Sequence, residues 1–561
     1  RSPRVASTAA VPDSGHIAIL EDSDGVVSRR NEFNLDRRQL RFVPTDPQAR
    51  RYRFAVSDSG FDAAAAEAGE RLLSLDDDDF QRLPLPFSFP FFGATYSEFF
   101  LNSDGNLTFT AGDRASTDRS LGRLVAGPPR IAPLFMDIDP SRSAGSVRLL
   151  AEPARLVVSW VDAPEYRDAG AGPPQTFQVR LYPDGAIEFA WNGVATAGAV
   201  TGIAPGGSSG ASSVVAFALG GDAEYSAAVA ERFGGREELD VATAAQKFYE
   251  GHDDAYDYLV FYNNLGIAAA PGAVAFEATT RTRRQGIGDR AVDIGHEFGS
   301  PSRLQAVINM GPLSQYPRDP NARVPAREAA RDTPLTILGH EVGHLFLALA
   351  SVRDPADSAA RPMLGQQNAH WAFTFNSEAS LLEGNRIRDN GGGANPRFTT
   401  VAAAEGYAPL DQYLMGLRPP EEVPPTFLVT GPGAPFPRQS PRVGVEFGGE
   451  RREIAIDEIV AAEGRRIPDH TVEQRRFRLG FVLIVRQGQP APAADLDQLD
   501  AYRREFEAFF DRATQSRAAA ETSLRLALRL SAFPASGVVA GRSATASISV
   551  QRAPASPLTV A

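Results

Sequence analysis

Residues 332–350, DTPLTILGHEVGHLFLALA, constrain the fold more than any other stretch because they specify one helix in detail. Thr333 suits the N-cap, and Pro334 suits the first helical position, where its missing N–H is not needed. Gly343 lies inside this helix, where glycine costs about 1 kcal/mol relative to alanine, and this predicts a packing reason such as an approaching strand. Apolar residues recur at helical spacing and predict a buried face: Leu335, Leu338, Val342, Leu345 and Leu349.

Three polar residues share the same helix. His340 and His344 are one turn apart, so both imidazoles lie on one side and can reach a single metal ion. Glu341 lies about 100° further round, where its carboxylate can take a proton from water without replacing a histidine. Zinc binds imidazole and lowers the pKa of water. The spacing therefore predicts a zinc-dependent hydrolytic centre with Glu341 as the general base.

The HEVGH segment resembles the HExxH motif of the zincin metallopeptidases, which implies a third ligand elsewhere in the chain. The common metzincin continuation, HExxHxxGxxH, is absent, since Leu347 and Ala350 stand where its glycine and third histidine would be. By analogy with zincins, residues 304–309 are predicted to form the edge strand that pairs with an extended substrate.

His370 is the next histidine after the motif, and Trp371 and a predicted turn at 381–384 follow it. This order is similar to that of the leishmanolysin-type metzincins, in which a long insertion precedes a His-Trp pair and a methionine turn. Leu382 stands near the place of that methionine. The resemblance implies three zinc ligands and one catalytic base: His340, His344 and His370 as ligands, with Glu341 as the base.

An acidic third ligand on a later helix, as in gluzincins, is the alternative. Glu378, Glu383 and Asp411 are the candidates, and Asp411 belongs to a predicted helix start in APLDQYLMG. In that arrangement Tyr413 would assist oxyanion stabilisation. Imidazole is the commoner zinc ligand, which favours His370, but spacing alone does not decide.

The first 215 or so residues show a different pattern, in which short strands alternate with turns. Residues 177–182 and 186–191 flank the turn Pro183-Asp184-Gly185 and predict a hairpin. The segments LPFSFPFFG, LNSDGNLTF, IAPLFMDIDP and TFQVRLYPDGAIEF together resemble the β-rich domain of the nidogen type found in extracellular proteins. Short strands at this spacing predict an antiparallel sandwich.

At 561 residues the chain is too long for one hydrophobic core. We predict four segments: an N-terminal extension with short strands (1–49), a nidogen-like β-rich domain (50–215), a zinc metallopeptidase domain (216–530) and the beginning of a C-terminal β domain or tail (531–561). A Gly/Ser/Ala-rich stretch at 204–222 predicts a linker. The predicted fold class is multidomain, with an antiparallel β-sandwich-like domain before an α+β, metzincin-like catalytic domain.

Within the later segment, residues 256–262 and 477–485 are apolar enough for buried strands, and 496–530 has a helical pattern. Residues 538–550 predict a pair of strands. The chain begins with Arg1 and shows no signal-peptide pattern, so we expect a processed or trimmed form.

The composition restricts which binding partners and metal ligands the chain can have. A net charge of −12 argues against binding to nucleic acid or to an anionic membrane, since both need a basic surface. The chain contains 0 cysteines, so any metal must be held by His, Asp or Glu. No apolar run approaches the roughly 18 residues of a transmembrane helix.

These features predict a secreted or cell-surface zinc-dependent endopeptidase that hydrolyses polypeptide substrates, with the β domain available to extracellular protein partners. The alternative is a non-catalytic surface or adhesion protein that retains a structural or vestigial metal site. The intact Glu341 favours the enzyme, because a purely structural site needs no base.

Overall fold

A computed structural model describes residues 13–58, 60–167, 170–196, 198–207, 212–354, 357, 360–524, 529–530 and 548–549. Its strands are, in chain order, β1 (Ile17–Glu21), β2 (Val27–Ser28), β3 (Arg38–Pro44), β4 (Tyr52–Asp58), β5 (Glu70–Arg71), β6 (Phe80–Phe91), β7 (Ala94–Asn102), β8 (Asn106–Thr108), β9 (Arg130–Phe135), β10 (Val147–Glu152), β11 (Arg155–Pro164), β12 (Pro174–Leu181), β13 (Ile187–Trp191), β14 (Gly198–Ala204), β15 (Ser212–Val214), β16 (Ala228–Gly234), β17 (Glu238–Leu239), β18 (Tyr258–Asn263), β19 (Phe276–Thr279), β20 (Arg281–Thr282), β21 (Val292–Asp293), β22 (Ala306–Pro312), β23 (Asn385–Asp389), β24 (Phe398–Ala403), β25 (Thr426–Thr430), β26 (Glu446–Phe447), β27 (Glu450–Ile454), β28 (Arg476–Val485), β29 (Ala519–Glu521), β30 (Arg529–Leu530) and β31 (Ile548–Ser549).

The α-helices are α1 (Ala63–Ala68), α2 (Leu121–Ala126), α3 (Val241–Gly251), α4 (Pro334–His344), α5 (Pro409–Leu414), α6 (Ile456–Glu463) and α7 (Ala493–Ala513). Short 3-10 helices occupy Pro140–Arg142, Phe217–Leu219, Gly295–Phe298, Leu313–Gln315, Pro325–Ala330, Gln366–Asn368 and Pro420–Glu422. None of the helices in the described part of the chain combines the length and apolar character needed to cross a bilayer.

Two 7-stranded sheets form the β-sandwich in the first part of the chain. Their strand orders are β4-β3-β13-β12-β11-β10-β5 and β15-β16-β14-β9-β8-β7-β6. Aromatic side chains from both sheets fill the space between them, including Trp160, which stacks on Phe177 with ring centroids 4.7 Å apart. The predicted antiparallel sandwich is therefore confirmed, although β15 and β16 pair in parallel.

The predicted hairpin is also confirmed. Strands β12 and β13 pair antiparallel, with Leu181 opposite Ile187. Gly185 in the connecting turn has a φ of 86°, a left-handed conformation that favours glycine. The Pro-Asp-Gly sequence thus fixes the turn, and the turn fixes the register.

The sandwich extends beyond residues 50–215 on both sides. Strand β3 pairs with β13, and β16 pairs with β14. The glycine-rich stretch 204–222, predicted as a linker, therefore lies between strands of one sheet, and the chain leaves the sandwich only after β16.

A 6-stranded mixed sheet forms the core of the second unit. Its order is β1-β28-β18-β22-β19, and β29 also pairs with β28. All neighbours are parallel except β19, which runs antiparallel to β22. The N-terminal strand β1 thus completes a sheet whose other strands lie more than two hundred residues away.

Both faces of the mixed sheet are covered, as parallel strands require. Tyr258 and Val260 of β18 belong to a core cluster with α4 and α7, whereas Leu259 and Phe261 belong to a cluster with α3. The predicted strands at 256–262 and 477–485 are confirmed as β18 and β28.

Two expectations need correction, and a third concerns residues that lie mostly outside the described part of the chain. Residues 304–309 do not form the edge strand, because β22 is hydrogen-bonded on both sides and β19 is the edge. The helix predicted at 496–530 ends with α7, where Gln515 and Ser516 take left-handed φ angles of 54° and 57° that a helix cannot continue through. The strand pair predicted at 538–550 and the C-terminal segment 531–561 fall outside the described residues except for β31.

A buried polar contact joins the sandwich to the mixed-sheet unit. Arg123 of α2 makes salt bridges of 2.9 Å to Asp113 and 3.2 Å to Glu297. Gln246 of α3 donates to the Gly122 carbonyl at 3.0 Å. These side chains are buried, so the two units are docked through satisfied polar groups instead of a flexible connection.

Candidate metal centre

Helix α4 begins as predicted. The Thr333 hydroxyl accepts from the Thr336 backbone N–H at 3.2 Å, and the Thr336 hydroxyl accepts from the Thr333 N–H at 2.8 Å. Pro334 occupies the first helical position. The helix ends at His344, so Leu345 and Leu349, both predicted as part of its buried face, lie beyond it; Leu345 is buried and Leu349 is half-buried.

Three imidazoles converge at the end of α4. The Nε2 atom of His340 lies 3.0 Å from Nε2 of His344 and 3.2 Å from Nε2 of His370. Within the described residues, these three form the single group of histidine, aspartate or glutamate side chains whose ligand atoms all lie within 4.8 Å of one another. The structure therefore brings together the three histidines that the sequence singled out.

Backbone carbonyls set the protonation of two of these rings. Nδ1 of His340 lies 2.7 Å from the Leu381 carbonyl, and Nδ1 of His370 lies 3.0 Å from the Gln366 carbonyl. A carbonyl can only accept, so each Nδ1 carries the proton in the neutral ring. The two facing Nε2 atoms therefore present lone pairs to each other, an arrangement that a cation between them would stabilise.

Two of the imidazoles, those of His340 and His344, are kept neutral. Burial, followed by the neighbouring His370 ring, lowers the pKa of His340 to about 3. Burial and the two other rings lower the pKa of His344 well below its usual value. Neutral rings are the form that binds a metal, so these two residues require no proton loss at neutral pH.

Trp371 fixes the position of His370. Its backbone N–H donates to the Leu382 carbonyl at 3.0 Å, and its indole Nε1–H donates at 3.1 Å to both the Ser380 hydroxyl and Asp411. The residue is buried. The backbone next to His370 is thus anchored by a buried, hydrogen-bonded side chain.

Asp411 supports the centre from a distance. Its carboxylate accepts from the Ala408 N–H at 2.9 Å, at the start of α5, and from Trp371. Burial raises its pKa to about 7. Asp411 therefore contacts Trp371 and does not belong to the group of three histidines. It caps the first turn of α5, as its helix-start sequence indicated.

The other predicted acids are engaged elsewhere. Glu378 accepts from Arg386 at 3.0 Å, and Glu383 accepts from Arg327 at 2.7 Å while lining the cavity. The Tyr413 hydroxyl accepts from the Arg466 backbone N–H at 3.2 Å, so it is not directed at the histidines.

The turn predicted at 381–384 is present, and it lies against the helix. A Cβ on Gly343 would stand 2.7 Å from the Leu382 side chain and 3.3 Å from Leu347 and Tyr407. Gly343 therefore has a packing reason, but side chains of a turn provide it instead of the expected strand.

A cavity of about 660 Å³ opens over the three imidazoles and Glu341. Glu341 is 5% exposed, and burial, with a further contribution from Glu277, raises its pKa well above the usual value. Glu277 comes from the edge strand β19. A second cavity, of about 690 Å³, lies between β19 and the sandwich and shares Ala270, Pro271 and Phe276 with the first.

Sequence reasoning missed Glu277 and its neighbour Asp289. Both line the cavity, but they lie more than 40 residues before α4 and belong to no recognisable motif. The sequence signal that could have identified Glu277 is a carboxylate within the otherwise apolar segment AVAFEATT. An edge strand is the kind of element that carries such a residue.

Comparison with known proteins bears on the sandwich alone. The NIDO-related family model matches residues 51–230. This match supports the nidogen-like resemblance and is consistent with an extracellular type of protein. No curated protein and no solved structure shows significant similarity to the chain.

Proposed function

We propose that this protein is a zinc-dependent endopeptidase of the zincin type, with His340, His344 and His370 as metal ligands and Glu341 as the general base. The observation that carries the proposal is the convergence of three imidazoles on one point beside Glu341, at the floor of a cavity. The His370-Trp371 pair followed by a turn under the helix adds the resemblance to leishmanolysin-type metzincins.

The donor set fits zinc. Three nitrogens bound tetrahedrally at about 2.0–2.1 Å from zinc lie about 3.3 Å apart. The observed Nε2–Nε2 distances from His340 are 3.0 and 3.2 Å. Carbonyl-held Nδ1 atoms are the usual outer partners of zinc-bound histidines, because they orient the ring and increase its basicity.

The chain supplies the proton transfer. When bound, zinc would acidify a water molecule and polarise the scissile carbonyl. Glu341 would accept the proton of that water and pass it to the leaving amine. Burial raises the pKa of Glu341, which strengthens it as a proton acceptor, and the charge of a bound zinc ion would favour its carboxylate form before the transfer.

The substrate would lie along β19. This strand is one edge of the mixed sheet, and it borders the cavity. An extended polypeptide can add to such an edge through backbone hydrogen bonds, which hold it independently of sequence. We therefore assign polypeptides as the substrate class and the cavity as the place of cleavage.

The sandwich would position the enzyme outside the cell or at its surface and contact extracellular proteins. The NIDO-related match supports this location. The net charge of −12 gives no attraction to nucleic acid.

The test combines metal content with casein hydrolysis. The wild-type protein is expected to bind one zinc ion per chain and to cleave casein, whereas Glu341→Gln should keep the zinc and lose the cleavage. His370→Ala should lose zinc, and Glu378→Gln, remote from the imidazoles, should lose neither. Zinc binding without hydrolysis by the wild-type protein would contradict the proposal.

A second candidate function follows from the NIDO-related match, which covers the sandwich and not the unit that carries the histidines. In this alternative the protein is a non-catalytic surface or adhesion protein, and the metal centre only stabilises it. Bound zinc with no hydrolysis in either the wild type or Glu341→Gln would favour this alternative.

A further inference from the structure

The edge strand β19 alternates between two environments. Phe276 and Ala278 pack against the core cluster around α3. Glu277 stands opposite Ile308 in the antiparallel register, and Ile308 belongs to the cluster around α4. Opposed residues of an antiparallel pair share one face of the sheet, so Glu277 lies on the side of the histidine-bearing helix, where it lines the same cavity as Glu341.

Two of the five acids that line this cavity have a cationic partner. Asp332 and Glu383 share Arg327 through salt bridges of 2.9 and 2.7 Å. Glu277 differs, because its hydrogen bond comes from the neutral Thr279 hydroxyl at 2.8 Å. Within the described residues, no salt bridge connects Glu277 to a basic side chain.

Asp289 stands beside Glu277 at the exposed rim of the cavity. It accepts a backbone hydrogen bond from Arg290 at 2.7 Å. Burial, with a smaller contribution from the charge of Asp289, raises the pKa of Glu277 to about 8. A carboxyl group in such surroundings is stabilised as the carboxylate when a cation enters the cavity.

We infer that Glu277, with Asp289 at the rim, forms a subsite for a cationic group of the substrate, namely the lysine or arginine side chain of a residue that flanks the scissile bond. This inference rests on the proposed function. An extended peptide paired with β19 directs alternate side chains to the face of the sheet that carries Glu277. A long basic side chain can then cover the apolar wall with its stem and place its charge beside the two carboxylates.

Binding measurements can test the subsite without hydrolysis. Zinc-loaded Glu341→Gln protein would be titrated with fluorescein-labelled peptides that differ at a single scanned position, which holds lysine, arginine, norleucine or glutamate. At one position, lysine and arginine peptides are expected to bind about tenfold more tightly than the norleucine peptide, as for a partly buried charge pair. Adding Glu277→Gln should remove most of this preference, and Glu277→Lys should make the glutamate peptide the best ligand.

The matched control is Glu250→Gln, which removes one negative charge from an exposed position of α3 on the opposite face of the sheet. It should leave the preference unchanged. Equal binding of all four peptides by the parent protein would overturn the subsite. An equal loss of affinity for all four peptides in Glu277→Gln would also overturn it, because such a loss indicates a structural role.

Two further arms separate the possible sources of failure. N-acetylated and free peptides distinguish a side-chain cation from the terminal ammonium group, and a preference confined to free peptides would overturn the lysine and arginine assignment. Casein hydrolysis by the wild-type protein is scored separately. A charge preference in binding without hydrolysis would count against the proposed function while supporting the subsite.

Discussion

The β-sandwich and the mixed sheet differ in where their polar side chains lie. The core of the sandwich is a cluster of aliphatic and aromatic side chains between two sheets. The mixed sheet also has apolar faces, but at its edge strand β19 the packing stops, and histidines and carboxylates line a cavity. Unpaired charge is costly between packed layers, so reactive groups collect where a sheet ends and solvent or a substrate can reach them.

The largest expected effect concerns the chemistry at that edge. Glu341→Gln should lower the rate of casein hydrolysis by about 10³-fold, because the base is lost while the imidazoles remain. Zinc content, measured by atomic absorption, should stay at the wild-type value. Wild-type hydrolysis by this variant would show that the base lies elsewhere.

The second effect tests whether the two regions depend on each other. Arg123→Met leaves the buried Glu297 without its partner and should lower the free energy of unfolding by about 3–5 kcal/mol. Urea unfolding followed by tryptophan fluorescence would measure it, since Trp160 and Trp371 report on different regions. The control is Arg53→Ala, which removes an exposed salt bridge to Glu224 and should change little. Separate transitions for the two regions in the wild type would contradict the coupling.

The third effect concerns Asp411, which accepts a hydrogen bond from Trp371 next to His370. The folded-state pKa of Asp411, about 7, lies above the ordinary value of 3.8, so the folded state binds more protons between these two pH values. The stability that this group contributes is full below pH 3.8 and is lost as the pH rises toward 7, by at most about 1.4 kcal/mol per pH unit.

Asp411→Asn removes this titration. The wild type should therefore lose stability relative to the variant as the pH rises from about 4.5 to 6.5. Urea unfolding at several pH values would measure the difference. A difference that does not vary with pH would show that the carboxyl group is not protonated in the fold.

The smallest effect concerns packing at the helix. Gly343→Ala should lower the free energy of unfolding by about 1–2 kcal/mol, because the new methyl group would press on Leu382. It should also weaken zinc binding, since the turn beneath carries the carbonyl that holds His340. The control is Gly251→Ala at the end of α3, where no atom lies within 4 Å and the added methyl should be tolerated. Equal stability of both variants would contradict the packing account.

Local sequence predicted the parts of the site that local interactions form. The cap at Thr333, the spacing of His340 and His344 and the Pro-Asp-Gly hairpin turn depend on residues within one or two turns of chain, and these parts are present in the structure. The metal-binding role of the histidines stays a prediction. The extent of the helix was less predictable, because apolar spacing continues past His344 although the helix does not.

Contacts between distant segments were not predictable in the same way. The alternatives for the third ligand, His370 and Asp411, are forty-one residues apart in the sequence, and both have plausible local settings. The structure places His370 beside His340 and uses Asp411 to hold Trp371 from behind. The edge strand was misplaced for a related reason, since 304–309 and 276–279 are both short apolar segments whose order in the sheet depends on pairing.

The sequence by itself determined a helix with two histidines and a glutamate, a turn-rich sandwich related to the nidogen type and an acidic surface without cysteine. Tertiary structure decided that His370 approaches that helix, that β19 forms one edge of the sheet and that Glu277 faces the cavity with no salt bridge to a basic side chain among the described residues. The physical reason is that capping and periodicity act over a few residues, whereas sheet order and cavity lining depend on which distant strands pair.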